Sequence, residues 1–188
     1  MKRFITAAVA AIAMNLAVAV ESEGVKFDDT IKLGGADLVV NGTGVRSKFG
    51  KRYVAALYLP AKSGDADAIV GSKGPKRIAL HLLKDGDGKT FANAFSGGIS
   101  DNSSEAELAP VKDRITAFST MMQSMGDVKA GTVILIDWIP EKGTLVSLNN
   151  KPLGKEIAGE DFFKALLKVW LGKDPVQRDL KAGLLGKS

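Results

Sequence analysis

The sequence contains no cysteine, and that one absence removes several kinds of chemistry together. Disulfides, thiolate nucleophiles, zinc–thiolate sites and lipid attachment at a cysteine are all excluded, so stability has to come from packing. Histidine is almost as scarce, with His81 the only one in 188 residues. It stands mid-strand between Leu80 and Leu82 with no acidic cluster beside it, whereas a catalytic triad or an imidazole metal site needs partners. His81 therefore reads as a structural residue, and neither a metal nor a cofactor is expected. A phosphate loop is also missing. Asn41-Gly42-Thr43-Gly44-Val45-Arg46 is rich in glycine, but no third glycine opens a helix and strand signals continue directly. The 26 Lys and Arg residues are scattered among apolar and acidic neighbours. A nucleic-acid binder would gather them in a stripe interleaved with exposed aromatics.

One long uncharged run is present, at the start. Met1-Lys2-Arg3 precedes a stretch from Phe4 to Val20 without a charge. A basic head, an apolar middle and small residues at Ala17-Val18-Ala19, followed by Glu21 and Glu23, form the pattern of a secretory leader cut after Ala19. The run is at the short end of the roughly 17–25 residues that span a bilayer, and its flank fits cleavage better than retention. Residues 1–19 are thus expected to be a signal peptide. Residues 20–188 are expected to be a single periplasmic or secreted domain with no membrane span of its own. Loss of Lys2 and Arg3 lowers the formal charge from +5 to +3, ordinary for a soluble protein.

Along that domain, Val25 to Leu33 and Ala36 to Val40 read as short strands joined by Gly34-Gly35. Asn41 to Gly44 reads as a turn leading into Val45 to Phe49. In Lys51 to Pro60 both alternating sets are largely apolar: Tyr53, Ala55, Leu57 and Leu59 on one face, Val54, Ala56 and Tyr58 on the other. That predicts a central strand covered on both sides. Asp65 to Val70 forms a short helix, Pro75 to Lys84 a strand, and 85–89 a loop. Thr90 to Phe95 has helical spacing, cut short by Gly97-Gly98. Ser104 and Glu107 make a capping box for a helix carrying Leu108, Val111, Ile115, Phe118, Met122 and Met125, with Pro110 tolerated in its first turns. Thr132 to Pro140 and Thr144 to Leu148 are strands, Asn149-Asn150 is a tight turn, and Asp161 to Leu171 and Val176 to Leu185 are helices. Strands in adjacent runs with helices grouped between and after them predict an α+β fold built on an antiparallel sheet.

Two residues stand out as a candidate site. Arg46 follows the glycines in a segment otherwise committed to the sheet, and a guanidinium is a natural fork for a carboxylate or a phenolate-like oxyanion. Tyr53, on the next strand, could add a hydroxyl to the same anion. Read alone, each is also an ordinary strand residue. The thioethers of Met121, Met122 and Met125 suit either a pliable wall against an apolar ligand or plain core, and core is the commoner use.

The order of segments resembles the chalcone-isomerase-like family, particularly its bacterial exported branch. The likeness rests on Gly42-Thr43-Gly44-Val45-Arg46, then Lys51 to Pro60, then Pro75-Lys76-Arg77-Ile78. Asp137-Trp138-Ile139-Pro140 with Gly143-Thr144 follows, and finally Gly159 to Leu167 with Trp170-Leu171-Gly172. The resemblance implies an open-faced β-sandwich: a large antiparallel sheet with helices layered on it and a ligand cleft between the two. It also implies that Arg46 occupies the position of a shared arginine. In plant enzymes that close chalcones to flavanones this residue clamps an oxyanion, and in plastid fatty-acid binders it holds a carboxylate together with a tyrosine.

Tyr53 matches the tyrosine of the binders where the plant enzymes resemble one another in having threonine. The segment similar to the one that supplies the enzymes' tyrosine and asparagine, Thr90 to Asn102, has Phe91 and no tyrosine, and Asn93 and Asn102 have no secure counterpart. The resemblance therefore favours a non-catalytic binder of a fatty acid, or of a similar amphipathic or aromatic carboxylate, held by Arg46 and Tyr53. The alternative is an isomerase, an intramolecular lyase of phenolic or enone substrates, with Arg46 as its catalytic oxyanion stabiliser.

Overall fold

The computed structural model describes residues 19–187. The expected leader therefore lies outside the described residues, apart from Ala19. The chain opens with strands β1 (Ala19–Ser22), β2 (Val25–Asp28) and β3 (Thr30–Leu33). Two long strands follow, β4 (Ala36–Ser47) and β5 (Lys51–Leu59). Helix α1 (Ala66–Gly71), strand β6 (Lys76–Leu82) and the short β7 (Gly86–Asp87) lead to α2 (Gly88–Asp101). Next come α3 (Glu105–Leu108), a 3-10 turn (Ala109–Val111), α4 (Lys112–Gln123) and β8 (Asp127–Val128). Strands β9 (Val133–Ile139), β10 (Gly143–Leu148) and β11 (Lys151–Pro152) precede helices α5 (Glu160–Leu171) and α6 (Arg178–Leu184).

Seven strands form one antiparallel sheet in the order β11-β10-β9-β6-β5-β4-β3, which puts β5 and β6 inside it as the two-sided apolar pattern requires. The two alternating sets of β5 enter two different cores. Tyr53, Ala55, Leu57 and Leu59 join Ile78, Leu80 and Leu82 against buried residues from α1, α2, α4, α5 and α6. Val54, Ala56 and Tyr58 face the other way, onto a smaller cluster with Phe27, Leu38 and Val40 that contains no helical residue. This is the expected α+β architecture, a large antiparallel sheet with helices layered on one face. Within the helical layer Phe95 packs at 5.5 Å from Trp170 and 5.6 Å from Phe118, and Phe118 at 5.6 Å from Phe162, which locks α2, α4 and α5 together. Each fully buried side chain of this size contributes about 1.5–3 kcal/mol.

The structure corrects four local expectations. Asn41 to Gly44 is not a turn but the middle of β4, with a bulge at Asn41 where the register shifts between Val40 and Gly42. The buried Asn41 amide donates from that bulge to the carbonyls of Ser63 and Leu184, at 2.9 and 2.8 Å. Residues 85–89 are not all loop, because Gly86-Asp87 pairs with β8 and Gly88 already opens α2. Helix α2 does not stop at Gly97-Gly98. It runs on to Asp101, and Gly98 lies so close to α5 that a Cβ there would sit 3.0 Å from a Val169 methyl. The capping box at Ser104 and Glu107 is present, but the helix it starts breaks into a 3-10 turn at Pro110 and resumes as α4, since proline cannot donate to the ladder.

The glycines of β4 have a packing role. Gly42, Gly44 and Arg46 alternate onto one face of the strand, and α6 lies across that face in the opposite direction. A Cβ on Gly42 would run into the Gly183 carbonyl, and one on Gly44 would sit 2.7 Å from the Leu180 carbonyl oxygen. Only bare backbone lets α6 seat here. We expect Gly44→Val to destabilise the fold by about 1–3 kcal/mol, the usual range for overpacking, read as a lower urea midpoint. An unchanged midpoint would mean that α6 does not depend on this seat.

Lys76 is buried, with 2% of its surface exposed, and its ammonium donates to the Ser72 and Gly74 carbonyls at 2.7 and 3.3 Å. Burial pushes its pKa down to about 8, against the opposing pull of Glu160. In the unfolded chain a lysine keeps its proton up to about pH 10.4, so between the two values the unfolded state binds more protons and stability rises with pH. Compared with Lys76→Met, the wild type should gain stability in urea titrations as pH climbs through that window. A constant difference would show an ordinary lysine.

Candidate functional site

Where α6 ends its contact with β4, a cleft opens between the sheet and α2. Its volume is about 330 Å³, and Phe91, Ala94, Phe95, Val169 and Val176 supply most of its wall. Four of the polar lining residues, Arg46, Lys48, Arg52 and Tyr53, come from the β4–β5 hairpin, and Thr90 comes from the first turn of α2. Three of these five are cations, and no carboxylate is among the described lining residues. An apolar trough with a few polar groups is the usual form of a small-molecule site, and this volume is near the lower end of the roughly 300–1,000 Å³ range.

Arg46 and Tyr53, the two residues expected from the sequence, are directly opposite each other on β4 and β5 and both reach the cleft. Arg46 is half-buried, and its guanidinium donates to the side-chain carbonyl of Gln177 at 3.2 Å. The same oxygen accepts the Ser47 backbone N–H at 2.8 Å. Gln177 thus aims the arginine without neutralising it, and among the described residues no carboxylate pairs with Arg46. The full charge is left for a ligand.

Tyr53 is buried, with 7% exposure, and its hydroxyl oxygen accepts a hydrogen bond from the Trp170 indole N–H at 3.2 Å. Among the described residues no acceptor takes the hydroxyl proton. Burial pushes its pKa up to about 12, with the Trp170 bond and the Arg46 charge pulling the other way. The group is therefore neutral and a donor across the physiological range. A half-buried guanidinium beside a neutral hydroxyl with an unused proton can bind the two oxygens of one carboxylate, or an oxyanion.

The remaining candidates are elsewhere. His81 is on the opposite sheet face, edge-on to Phe27 at 4.7 Å, and burial lowers its pKa. Met122 is fully buried core, and none of Met121, Met122 and Met125 lines the cleft. Asn93 is exposed and also outside the lining. Asn102 donates to the Gly98 and Asp174 carbonyls at 2.9 and 2.7 Å, bracing the loop that carries Val176 and Gln177. Phe91 presents a ring, not a hydroxyl, to the cleft. Among the described residues no three His, Asp or Glu side chains gather closely enough to hold a metal ion. No helix among them is long and apolar enough to cross a membrane.

Gln177, Trp170, Lys48 and Arg52 were not expected from the sequence to belong to the site. Gln177 and Trp170 act on partners 131 and 117 residues away, and no local pattern announces such a pairing.

One antiparallel sheet backed by helices, with a cleft between them that is apolar on its helical side and cationic on its hairpin side, defines the class. Within it, the chain belongs to the chalcone isomerase-like family, whose model matches residues 19–186. Among solved structures, a fatty-acid binding protein of Arabidopsis thaliana superposes with a TM-score of 0.67 over 89% of this chain and 96% of its own, at 14% identity. That likeness is one of fold. A stretch of 78 residues is 37% identical to the bifunctional protein FolD of Marinomonas sp. (strain MWYL1), covering 41% of this chain and 26% of that protein. The chain thus spans about a quarter of that relative's length.

Replacing Trp170 with Phe removes the one donor to the Tyr53 oxygen. Stability should fall by about 0.5–1.5 kcal/mol for the lost bond, and the tyrosine should titrate still higher in an alkaline absorbance titration. An unaltered titration would show that the indole does not act on the hydroxyl.

Proposed function

We propose that this protein binds a fatty acid or a comparable small amphipathic carboxylate, with the acid group on Arg46 and Tyr53 and the apolar tail along Phe91, Phe95, Val169 and Val176. The observation that carries this is the asymmetry of the cleft: unopposed cations and a spare hydroxyl proton from the β4–β5 hairpin on one side, and hydrocarbon and aromatic wall from α2, α5 and the loop after α5 on the other. Tail burial, at about 25 cal/mol per Å² of apolar surface, supplies most of the affinity, and the charge-assisted contacts fix the orientation. The fold shared with a plant fatty-acid binding protein supports the reading. The basic head and apolar run before Ala19 support an exported protein of the family's bacterial branch, acting in the periplasm or outside the cell.

Catalysis is the lesser reading. Arg46 could stabilise an oxyanion, but Phe91 and the exposed Asn93 bring no tyrosine hydroxyl or asparagine amide from α2 into the cleft to complete an isomerase site, and the Thr90 hydroxyl there donates to Asp87.

Native mass spectrometry of protein purified from its own host, followed by titration with a saturated fatty acid, tests the proposal. Wild type should retain a fatty acid. Arg46→Ala should weaken binding about 10- to 100-fold, the cost of a hydrogen bond to a charged group, and Tyr53→Phe about 2- to 10-fold. Equal affinity for wild type and Arg46→Ala would refute the assignment, and turnover of an enone by wild type would favour the isomerase.

A further inference from the structure

The hairpin between β4 and β5 ends in Lys48-Phe49-Gly50, and this tip forms part of the cleft's mouth. Phe49 has 93% of its surface exposed and is the single large apolar side chain left exposed among the described residues. Its backbone is in the left-handed region, with φ at +54°, a conformation that a bulky residue rarely adopts. An aromatic ring projecting into water from a sterically disfavoured backbone contributes nothing to the fold. Its surroundings are strongly of one sign. Lys48, Arg52 and Lys84 stand around the tip, and among the described residues none of the three is in an ion pair; the Lys84 ammonium reaches the Phe49 carbonyl at 3.4 Å. The nearby carboxylates Glu23 and Asp85 are already paired, with Lys51 and Lys129.

From this geometry we infer that the β4–β5 tip docks on an anionic lipid surface: Phe49 enters the interfacial layer, and Lys48, Arg52 and Lys84 bind the head groups. An exposed ring within a ring of unpaired cations matches the two components of interfacial binding, apolar insertion and attraction to negative lipid. Because Phe49 also lines the cleft, docking turns the mouth of the cleft towards the bilayer, where an amphipathic carboxylate resides. The use of docking for ligand transfer rests on the proposed ligand; the docking itself does not.

Flotation of ligand-stripped protein with vesicles tests the docking. Wild type should float with mixed phosphatidylcholine and phosphatidylglycerol vesicles, not with pure phosphatidylcholine, and high salt should release it as screening shortens the reach of the charges. Phe49→Ser should lower partitioning roughly tenfold or more with an unchanged circular dichroism spectrum, since an exposed ring supports no packing. Lys48→Gln, Arg52→Gln and Lys84→Gln together should lower it on the order of 100-fold, near fivefold for each cation. Failure of the wild type to float overturns the inference, as does equal flotation of either variant or equal binding to uncharged vesicles. Tyr53→Phe, which weakens fatty-acid retention from a buried position, should float like wild type. Failure of the ligand reading and failure of the docking are thereby distinguishable.

Discussion

The close approach of α6 to β4 is the constraint on which the site depends. Helix and strand touch backbone to backbone because Gly42 and Gly44 carry no side chain, and the approach positions the residues at each successive step. Gly183 meets Gly42, Leu180 meets Gly44, and Gln177 then meets Arg46, the first residue along that face with a side chain long enough to leave it. The glycines bring the helix down, the helix places Gln177, and Gln177 holds the arginine. Asn41 closes the far end by binding the Leu184 carbonyl from its bulge, so the helix is fixed at both ends of the run. One packing relation therefore serves both the fold and the aim of the Arg46 guanidinium.

The second element of the site is set by the helical layer. Trp170 is packed against Phe95 and donates to Tyr53, so its ring belongs to the core and its N–H supports a residue that lines the cleft. Using both ends of an indole in this way is economical, because a buried N–H without a partner is costly. The Tyr53 hydroxyl thereby keeps its own proton free to face outward. The opposite face of the sheet takes no part: its Arg77–Asp137 pair, bidentate at 2.6 Å, and the His81–Phe27 contact bind strands to one another away from the cleft.

Much of this was legible in the sequence because it follows from alternation. The two apolar sets of β5 predicted a central strand between two cores, and the helix read over Asp161 to Leu171 is α5. Arg46 and Tyr53 could be named because residue type and order along the chain resemble a known family. Glycine read as punctuation held at Gly34-Gly35, which turns β3 into β4, and failed at Gly42-Gly44 and Gly97-Gly98. At Gly42-Gly44 and at Gly98 its meaning is proximity to another element, and a single strand or helix read alone contains no trace of the element that will lie on it. Pro110 was misjudged in the other direction, since its tolerance in a first turn depended on a helix continuing through it. The partners of the site residues were invisible for the same reason, being more than a hundred positions away.

That separation affects the order in which the molecule acquires its function. Arg46 and Tyr53 are made more than a hundred residues before the parts that aim them, Gln177 and Trp170. A growing chain can pair β4 with β5 and still have no working anion pole. The arrangement comes into being only when α6 settles onto its glycine seat, so a chain that stops before Gln177 has the arginine without the group that aims it.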